Sequence, residues 1–358
     1  MGVVDFLTSA GELAAQEGPE DHVVLSSRVR LARNLSGVTF PGRAKKASRV
    51  ETCKLILPVV SAASAMRGGY STAMSDLKAL DKQLLVERHL ISREHAAKSA
   101  GSALVLNKDE TLSVMVNEED HLRMQALLPG MQIKQVWQKI DRFDTSLEKK
   151  LEYAFDTNLG YLTACPTNLG TGIRVSAMLH LPGLMLTDQV DQIVKAVTKL
   201  GHAVRGLYGE GTEALGHLFQ VSNQMTLGES ELDIIERIHK VVLQIIEHEE
   251  NARQTLLQGK PKELFNQIGR AYGVLAHAHI VSSKESMNQL SLMRLGVKLG
   301  LFEKLETPVL DELFLLSQPA HLQQFVGEKL SGEERDIHRA NLLRGHLSKV
   351  KGLKIPSS

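Results

Sequence analysis

The stretch from Cys165 to His180 constrains this chain more than any other, because a loop of reactive and flexible residues runs directly into an alternating segment. The loop reads Cys-Pro-Thr-Asn-Leu-Gly-Thr-Gly and supplies a thiol, hydroxyls and two glycines. From Ile173 onward apolar and polar residues alternate, with Arg174 first on the polar side. Period-two alternation is typical of a half-buried strand, and glycines let the backbone approach a ligand closely. The sequence therefore predicts Arg174 at the edge of a strand, beside a ligand-binding loop.

Composition excludes several classes of protein. The 358 residues are enough for two domains with separate cores, and 42 basic residues nearly balance 41 acidic ones. A net charge of +1 and an aromatic content of 4% argue against a general nucleic-acid binder. Cys53 and Cys165 are too few for a disulfide framework, and no segment is typical of a signal peptide or a membrane span, so we expect a soluble cytoplasmic protein. No Cys/His spacing is typical of zinc, so no metal site built by the protein is predicted.

Periodicity divides the chain into three segments. Residues 1–21 are typical of a short helical lead-in, residues 22–252 alternate between strand-like and helix-like patches, and residues 260–352 are helical almost throughout. The polar segment 251–262 is predicted as the boundary. This order predicts an α+β domain followed by an all-α domain.

Local signals place the clearest elements. The runs Ala103–Leu106 and Leu112–Val116 flank an Asn/Asp turn, which predicts a hairpin. A helix is predicted over residues 188–200. The strongest helical pattern runs from Ser230, a suitable N-cap, to His248.

Two further segments carry charged residues next to predicted strands. Arg28 and Arg30 alternate with apolar residues, so both guanidiniums point to one face and can bind phosphate oxygens, although a solvated strand face fits the same pattern. Glu119 and Arg123 directly follow a strand. They also fit the i,i+4 ion pair of an acidic helix start.

A third segment, from Arg205 to Glu210, is rich in glycine and fits either a flexible loop or a loop that folds over a ligand. Together these segments and the Cys165 loop supply five arginines, two carboxylates and a thiol. Arginines in this number can hold a polyphosphate without the lysine of a P-loop. Neither a P-loop motif nor the His-Arg-Asp motif of protein kinases is present in the sequence.

These blocks resemble, in the same order, those of the phosphagen (guanidino) kinases. The resemblance implies a catalytic domain with an antiparallel sheet flanked by helices, and transfer of the γ-phosphoryl group of MgATP to a guanidinium nitrogen. Here the catalytic part begins near the N-terminus, without the small helical domain of metabolic phosphagen kinases, and a helical extension follows it. That arrangement is similar to the bacterial protein-arginine kinases of the McsB type. It implies an acceptor site open to an arginine side chain of a protein.

The resemblance also implies roles for individual residues. Glu119 is expected to act as the base, Glu210 as a second carboxylate clamp on the guanidinium, and Cys165 as a thiol beside it. ATP is the expected cofactor, with Mg²⁺ held mostly by the nucleotide and water. The residues expected to contact the nucleotide are Ser26, Ser27, Arg28, Val29, Arg30, His89, Arg123, Arg174, Val175, Ser176, Ala177, Met178, Arg205, Gly206, Leu207, Tyr208 and Gly209.

The helical extension carries a second resemblance. Arg335, Asp336 and Arg339 lie in the run Arg-Asp-Ile-His-Arg-Ala, which is similar to the Arg-Asp-x-x-Arg-Ala motif of the family's phosphoarginine-binding pocket. Arg335 and Arg339 are i,i+4 on one predicted helix face and can clamp a phosphate between them. A solvated basic helix face fits the same spacing.

Partners are implied by the resemblance alone. They are unfolded proteins and a heat-shock repressor as substrates, a Clp-type protease system, a zinc-finger activator of the McsA type, and a second copy in a homodimer, without membrane or direct nucleic-acid contact. Two rival functions stay open: a small-molecule guanidino kinase, and a non-catalytic adaptor that reads phosphoarginine through Arg335 and Arg339. The carboxylates and Cys165 favour an enzyme over the adaptor.

Overall fold

The computed structural model describes Leu7 and residues 17–206 and 214–354, so most of the predicted lead-in over residues 1–21 lies outside the described residues. Among the described helices, none is both long enough and apolar enough to cross a membrane. The strands are Val24–Arg33 (β1), Tyr70–Ala73 (β2), Ala103–Leu106 (β3), Leu112–Val116 (β4), Leu122–Pro129 (β5), Phe155–Asp156 (β6), Gly160–Tyr161 (β7), Ile173–His180 (β8), His202–Gly206 (β9) and Leu218–Asn223 (β10).

Eight of these strands form one antiparallel sheet in the order β2-β3-β4-β5-β1-β8-β10-β9, and β6 pairs only with β7. The predicted hairpin is confirmed, since β3 and β4 pair from Ala103 opposite Val116 to Leu106 opposite Ser113. The predicted strand after the Cys165 loop is confirmed as β8, in the interior of the sheet. It pairs with β1 on one side and β10 on the other, so distant segments of the chain meet there.

The helices of the first part of the chain flank this sheet, and those of the second part form a region without strands among its described residues. Those of the first part are Lys46–Ser61 (α1), Ala79–Glu87 (α2), Arg93–Ala96 (α3), Ile133–Glu148 (α4), Pro182–Leu186 (α5), Val190–Lys199 (α6) and Glu231–Gly259 (α7). Those of the second part are Pro261–His277 (α8), Ser283–Lys298 (α9), Thr307–Leu316 (α10), Pro319–Val326 (α11) and Gly332–Leu347 (α12). The α+β class followed by an all-α region is therefore confirmed.

The two faces of the sheet differ. On one face Val29 and Val175 pack into a continuous core with Ile56 of α1, Ile140 of α4 and Ile238 of α7. Burying an aliphatic side chain of this size contributes about 1.5–3 kcal/mol, so this face anchors the sheet. On the other face the main apolar part of the described chain is the β2–β4 side, where α2 and strands β3 and β4 share a smaller core. The neighbouring strands carry arginines and other polar side chains on that face, interspersed with Leu127 and Met178.

The last helix of the α+β part ends later than the sequence predicts. Ser230 is the N-cap of α7, as predicted, and its hydroxyl accepts a hydrogen bond from the Asp233 amide at 3.2 Å. The helix, however, runs past His248 to Gly259, through much of the polar segment predicted as a boundary. The reason is that Arg253 and Leu256 are buried there, which the polar composition conceals. Pro261 then begins α8 directly.

Candidate active site

The arginines predicted from separate segments share one face of the sheet. In the β1–β8 pairing Arg30 lies opposite Arg174, and in the β1–β5 pairing Ala32 lies opposite Arg123. Residues directly opposite in an antiparallel pair project to the same face. Following the register across β8, β10 and β9 brings Arg205 to this face as well, because Gln220 lies opposite both Met178 and Arg205. The sheet therefore gathers all five predicted arginines.

Three of these arginines have neutral partners or none. The Nη2 atom of Arg28 donates to Oε1 of Gln220 at 2.8 Å, and Nη2 of Arg174 donates to Oγ of Ser222 at 3.2 Å. The Nε atom of the half-buried Arg30 has no hydrogen-bond partner. Among the described residues none of the three forms an ion pair with a carboxylate.

Crowding shifts the titration of these groups. Burial, followed by the charges of Arg123 and Arg174, lowers the pKa of Arg28 to about 10. Burial and the neighbouring arginines also lower the pKa of Arg30. The guanidiniums still stay charged at neutral pH, so the face holds a concentration of positive charge that an anion would neutralise.

Arg123 joins the arginine face to a pair of carboxylates. Its Nη1 donates to Oε2 of Glu118 at 2.8 Å and lies 3.5 Å from Oε2 of Glu119. Glu118 is 2% exposed and also accepts from the Ser92 hydroxyl at 2.6 Å, so its two oxygens are occupied. Burial opposes ionisation of Glu118, but the charge of Arg123 and the hydrogen bonds outweigh it and lower the pKa.

Glu119 has the opposite character. Its side chain is 42% exposed, and partial burial together with the negative charge of Asp120 raises its pKa. A carboxylate with a raised pKa and an exposed oxygen accepts a proton better than a buried, fully paired one. Of the two neighbouring glutamates, Glu119 is therefore the one that can act as a base.

Asp120 joins the Cys165 loop to the segment that carries Glu118 and Glu119. Its Oδ1 accepts from the Ala164 amide at 2.7 Å and from Nδ2 of Asn34 at 2.6 Å, and its side chain is fully buried. Glu119 and Cys165 are each one residue away from this contact. The Cys165 sulfur lies 3.0 Å from Oγ1 of Thr167.

Cys165 also lies within electrostatic reach of the arginine face. Burial and the charges of Arg205 and Arg123 lower the pKa of Arg174, whereas Cys165 as a thiolate acts in the opposite direction. The thiol, one carboxylate and the arginine face thus converge on one region.

A cleft of about 330 Å³ opens next to the arginines, between the sheet and α3. It is lined by Arg28, Arg30 and His89, and by Ser92 and Gln125 among others. Burial and the charge of Arg28 lower the pKa of His89 to about 4, so its ring is neutral at pH 7. The His89 carbonyl accepts from Nε2 of Gln125 at 2.8 Å, which fixes the turn. A neutral His89 ring can contact a nucleobase, and the two guanidiniums beside it can contact the polyphosphate attached to that nucleobase.

For some predicted nucleotide contacts the structure leaves the backbone but not the side chain. The side chains of Ser27, Val29, Val175 and Ala177 are buried on the opposite face of the sheet, so only their backbone remains available. The Ser27 hydroxyl donates instead to the Gly130 carbonyl at 2.8 Å. Strand alternation requires this outcome, because the residues next to each of them in the sequence project to the arginine face. Ser26, Ser176 and Met178 lie on the arginine side, and Gly206 ends β9.

Four predicted residues lie outside the described residues: Leu207, Tyr208, Gly209 and Glu210. The proposed second carboxylate clamp therefore has no placement, and it stays a prediction.

The predicted phosphoarginine motif lies on α12. Arg339 is 1% exposed and donates to the carbonyls of Ser317 and Val281, at 2.8 and 2.9 Å, and to Oδ1 of Asp336 at 2.5 Å. Arg335 is half-buried and donates to the Leu330 carbonyl at 2.9 Å. In this arrangement Arg339 joins α12 to neighbouring helices. A phosphate held by both arginines requires Arg339 to exchange some of these partners.

Several site residues were absent from the sequence analysis. Gln220 and Ser222 contact the arginines from β10, and their alternation with buried Phe219 and Val221 is the signal that identifies them. Glu118 and Ser92 had no such signal. Their pairing at 2.6 Å joins segments 26 residues apart.

Comparison with known proteins agrees with this geometry. The family model described as ATP:guanido phosphotransferase, C-terminal catalytic domain, matches residues 55–252, and the protein-arginine kinase McsB C-terminal domain matches residues 261–357. A protein-arginine kinase of Halothermothrix orenii is 46% identical over 334 residues, covering 93% of this chain and 95% of that protein. One from Halalkalibacterium halodurans is 46% identical over 338 residues, covering 93% and 94%.

Solved structures show the same fold. A crystal structure of lombricine kinase has a TM-score of 0.58 at 24% identity and covers 72% of this chain and 77% of that one. The duplicated taurocyamine kinase of Schistosoma mansoni, with bound transition-state-analogue components, has a TM-score of 0.60 at 25% identity. That match covers 79% of this chain but 43% of the duplicated one.

Proposed function

This chain belongs to the ATP:guanido phosphotransferase family, and we infer from that premise that it transfers the γ-phosphoryl group of ATP to arginine side chains of proteins. The observation that carries the proposal is the arginine face of the sheet, which lies beside Glu119 and Cys165. The relatives named protein-arginine kinase match nearly the whole chain, including its helical region.

The arginine face is the proposed site of the triphosphate. Arg28, Arg30 and Arg174 lack described acidic partners, and their fork-shaped donors match phosphate oxygens in two-point contacts. In such a site positioning and charge neutralisation supply most of the catalysis of phosphoryl transfer. The adenine ring of the nucleotide would occupy the cleft beside His89.

Mg²⁺ would reach the site with the nucleotide. Among the described residues, the one three-member group of metal-ligating side chains is Glu20, His22 and Glu250, which is separate from the arginine face. Glu118 and Glu119 both contact Arg123, so the ion would be held mostly by the nucleotide and by water. When bound, the ion would draw charge from the phosphate oxygens.

The acceptor guanidinium must lose a proton, because its pKa of about 13.8 leaves it protonated and a poor nucleophile. We propose that Glu119 aligns an acceptor N–H and takes up the proton. A nitrogen–phosphorus bond forms, the bond from the γ-phosphorus to the bridging oxygen breaks, and ADP leaves. Glu210 is proposed as the second carboxylate, and Cys165 as a thiol that contributes negative charge beside the acceptor.

Other roles belong to the same proposal. Arg335, Asp336 and Arg339 are proposed to bind phosphoarginine. Unfolded proteins and a heat-shock repressor are proposed substrates, with a Clp-type protease, a zinc-finger activator and a second copy of the chain as partners in the cytoplasm.

The test is incubation of an unfolded arginine-rich protein with MgATP, followed by mass spectrometry under non-acidic conditions. We expect acid-labile phosphate on arginine. Glu119→Gln should lower the rate by about 10²–10⁴-fold while nucleotide binding persists, because a positioned base contributes that much. Glu51→Gln makes the same change at an exposed carboxylate on α1 and serves as the control, so it should leave the rate unchanged. Equal phosphorylation of free arginine and of the protein would instead identify a small-molecule guanidino kinase.

A further inference from the structure

An open apolar groove lies beside the candidate active site. It has a volume of about 310 Å³, and Phe155, Leu159 and Leu227 line it together with Tyr161. The side chains of the first three are 57%, 43% and 45% exposed. A single exposed apolar residue is ordinary, but several around one concave surface indicate a binding site.

The groove is continuous with the loop that carries Cys165. Gly170 and Thr226 line it, and the Tyr161 amide donates to the Gly170 carbonyl at 2.8 Å. The Thr226 hydroxyl donates to the Leu169 carbonyl at 2.7 Å. The wall of the groove is therefore the same stretch of backbone that begins at Cys165. Five residues of extended chain span at most about 18 Å, so Gly170 at the wall of the groove lies within that distance of Cys165.

The charges of the groove favour a basic partner. Its charged lining residues are Glu229 and Glu231, and no lysine or arginine lines it among the described residues. Glu229 is paired with Arg237, whereas Glu231 lies in the first turn of α7. A segment that contains arginine meets net negative charge on this side of the site, and an acidic segment is repelled.

We propose that this groove binds an apolar side chain of the acceptor polypeptide, within about five residues of the arginine that is phosphorylated. The inference rests on the proposed function and names how the substrate is selected. A folded protein buries most of its large apolar residues, so a groove that requires one near an exposed arginine favours unfolded chains. The occupant is an extended acceptor segment with arginine and a neighbouring leucine or aromatic residue.

The first experiment uses synthetic peptides with one arginine. One series carries leucine three, four or five residues from the arginine, on either side, and the matched series carries serine at the same positions. The full-length protein is assayed with MgATP, and kcat and KM are measured separately. We expect KM to be roughly tenfold lower, or more, for the best leucine peptide, because burial of one leucine contributes that much affinity. The value of kcat should stay the same, since the contact is remote from the reacting atoms.

The second experiment removes the groove. Leu227→Ser should abolish the preference for leucine by raising KM of the leucine peptide to that of the serine peptide. Phe155→Ser should do the same, but Phe155 packs against Tyr161 with ring centres 5.3 Å apart, so Leu227→Ser is the cleaner variant. Leu55→Ser is the matched control, because Leu55 is 56% exposed on α1, outside the groove. It should retain the full preference.

The outcomes separate the two proposals. If both peptide series are phosphorylated with equal KM, the groove proposal is wrong and the proposed function stands. If no peptide or protein arginine is phosphorylated, the proposed function fails and the groove proposal fails with it. Light scattering measures the oligomeric state and so tests whether a second copy of the chain occupies the groove. An oligomer that dissociates in Leu227→Ser while the peptide preference persists would assign the groove to a contact between copies and reject the proposal.

Discussion

The arginines of the sheet face and those of the helical region occupy opposite environments. On the sheet, Arg28, Arg30 and Arg174 crowd together without a described acidic partner. In the helical region, Arg294 is 2% exposed but donates to Asp311 at 2.8 Å and to the Asp21 carbonyl at 2.9 Å. Arg339 is likewise buried, and its Nε and Nη1 atoms donate to two carbonyls and to Asp336.

We infer from this difference that the helical-region arginines stabilise the fold, whereas the sheet arginines bind an anionic ligand. A buried guanidinium that donates to protein oxygens replaces the hydrogen bonds that it made to water. Removing it leaves the partner oxygens buried without a hydrogen-bond donor. A crowded, unmatched group of guanidiniums opposes folding through mutual repulsion. A bound anion would neutralise such a group. The following predictions test the distinction between the two groups of arginines.

The largest effect is expected from Arg174→Gln. The rate of phosphoryl transfer should fall by about 10³-fold, because arginines that neutralise a transferring phosphoryl group contribute on that scale. The free energy of unfolding without ligand should not fall, since the substitution relieves repulsion from Arg123 and Arg205. Steady-state kinetics and urea unfolding measure the two quantities. Arg142→Gln, an exposed arginine on α4, is the control and should change neither. A rate within tenfold of the unmodified protein would contradict the assignment.

The second effect is the reverse case, Arg294→Leu. The free energy of unfolding should fall by about 3 kcal/mol, because the variant leaves the carboxylate of Asp311 without its partner. The rate measured on folded protein should stay within about twofold of the unmodified protein. Adding Asp311→Leu should recover part of the stability. If Arg294→Leu instead abolished transfer without loss of stability, the distinction between the two groups would be wrong.

The third effect is stabilisation by nucleotide. At a hundredfold excess over Kd, ATP should raise the free energy of unfolding by about 2.7 kcal/mol. The gain should persist in Arg294→Leu and should shrink in Arg174→Gln at the same ATP concentration. Thermal unfolding with and without ATP gives both values. A gain that is equal in the two variants would show that ATP binds elsewhere.

The smallest effect concerns His89. Burial, followed by the charge of Arg28, lowers its pKa to about 4, so Arg28→Gln should raise that pKa by less than about one unit. Because the fold lowers this pKa, the stability that His89 contributes is complete above about 6.5 and is lost as pH falls toward 4. NMR titration reads the shift. His95 is the internal control, since burial also lowers its pKa to about 4 but Arg28 is not among the causes. An unchanged His89 would place it farther from the arginine face.

Much of the local structure was predictable because its causes are local. The alternation in β8, the hairpin of β3 and β4, and the N-cap Ser230 each depend on residues close in the sequence. The end of α7 was not predictable, because Leu256 and Arg253 are buried by packing against distant segments. Arg339 was predicted as a ligand contact on a helix surface, yet its environment is set by Ser317 and Val281.

The sequence by itself determined which residues alternate, which segments carry arginines and acids, and which family the blocks resemble. Only the tertiary structure decided that Arg30 lies opposite Arg174, that Glu118 rather than Glu119 is the buried partner of Arg123, and that Asp120 holds the Cys165 loop. Periodicity and capping act over a few residues, so a sequence displays them directly. Strand register depends on how both faces of a whole sheet are buried, and the contact of Arg28 with Gln220 across 192 residues exists only once that register is chosen.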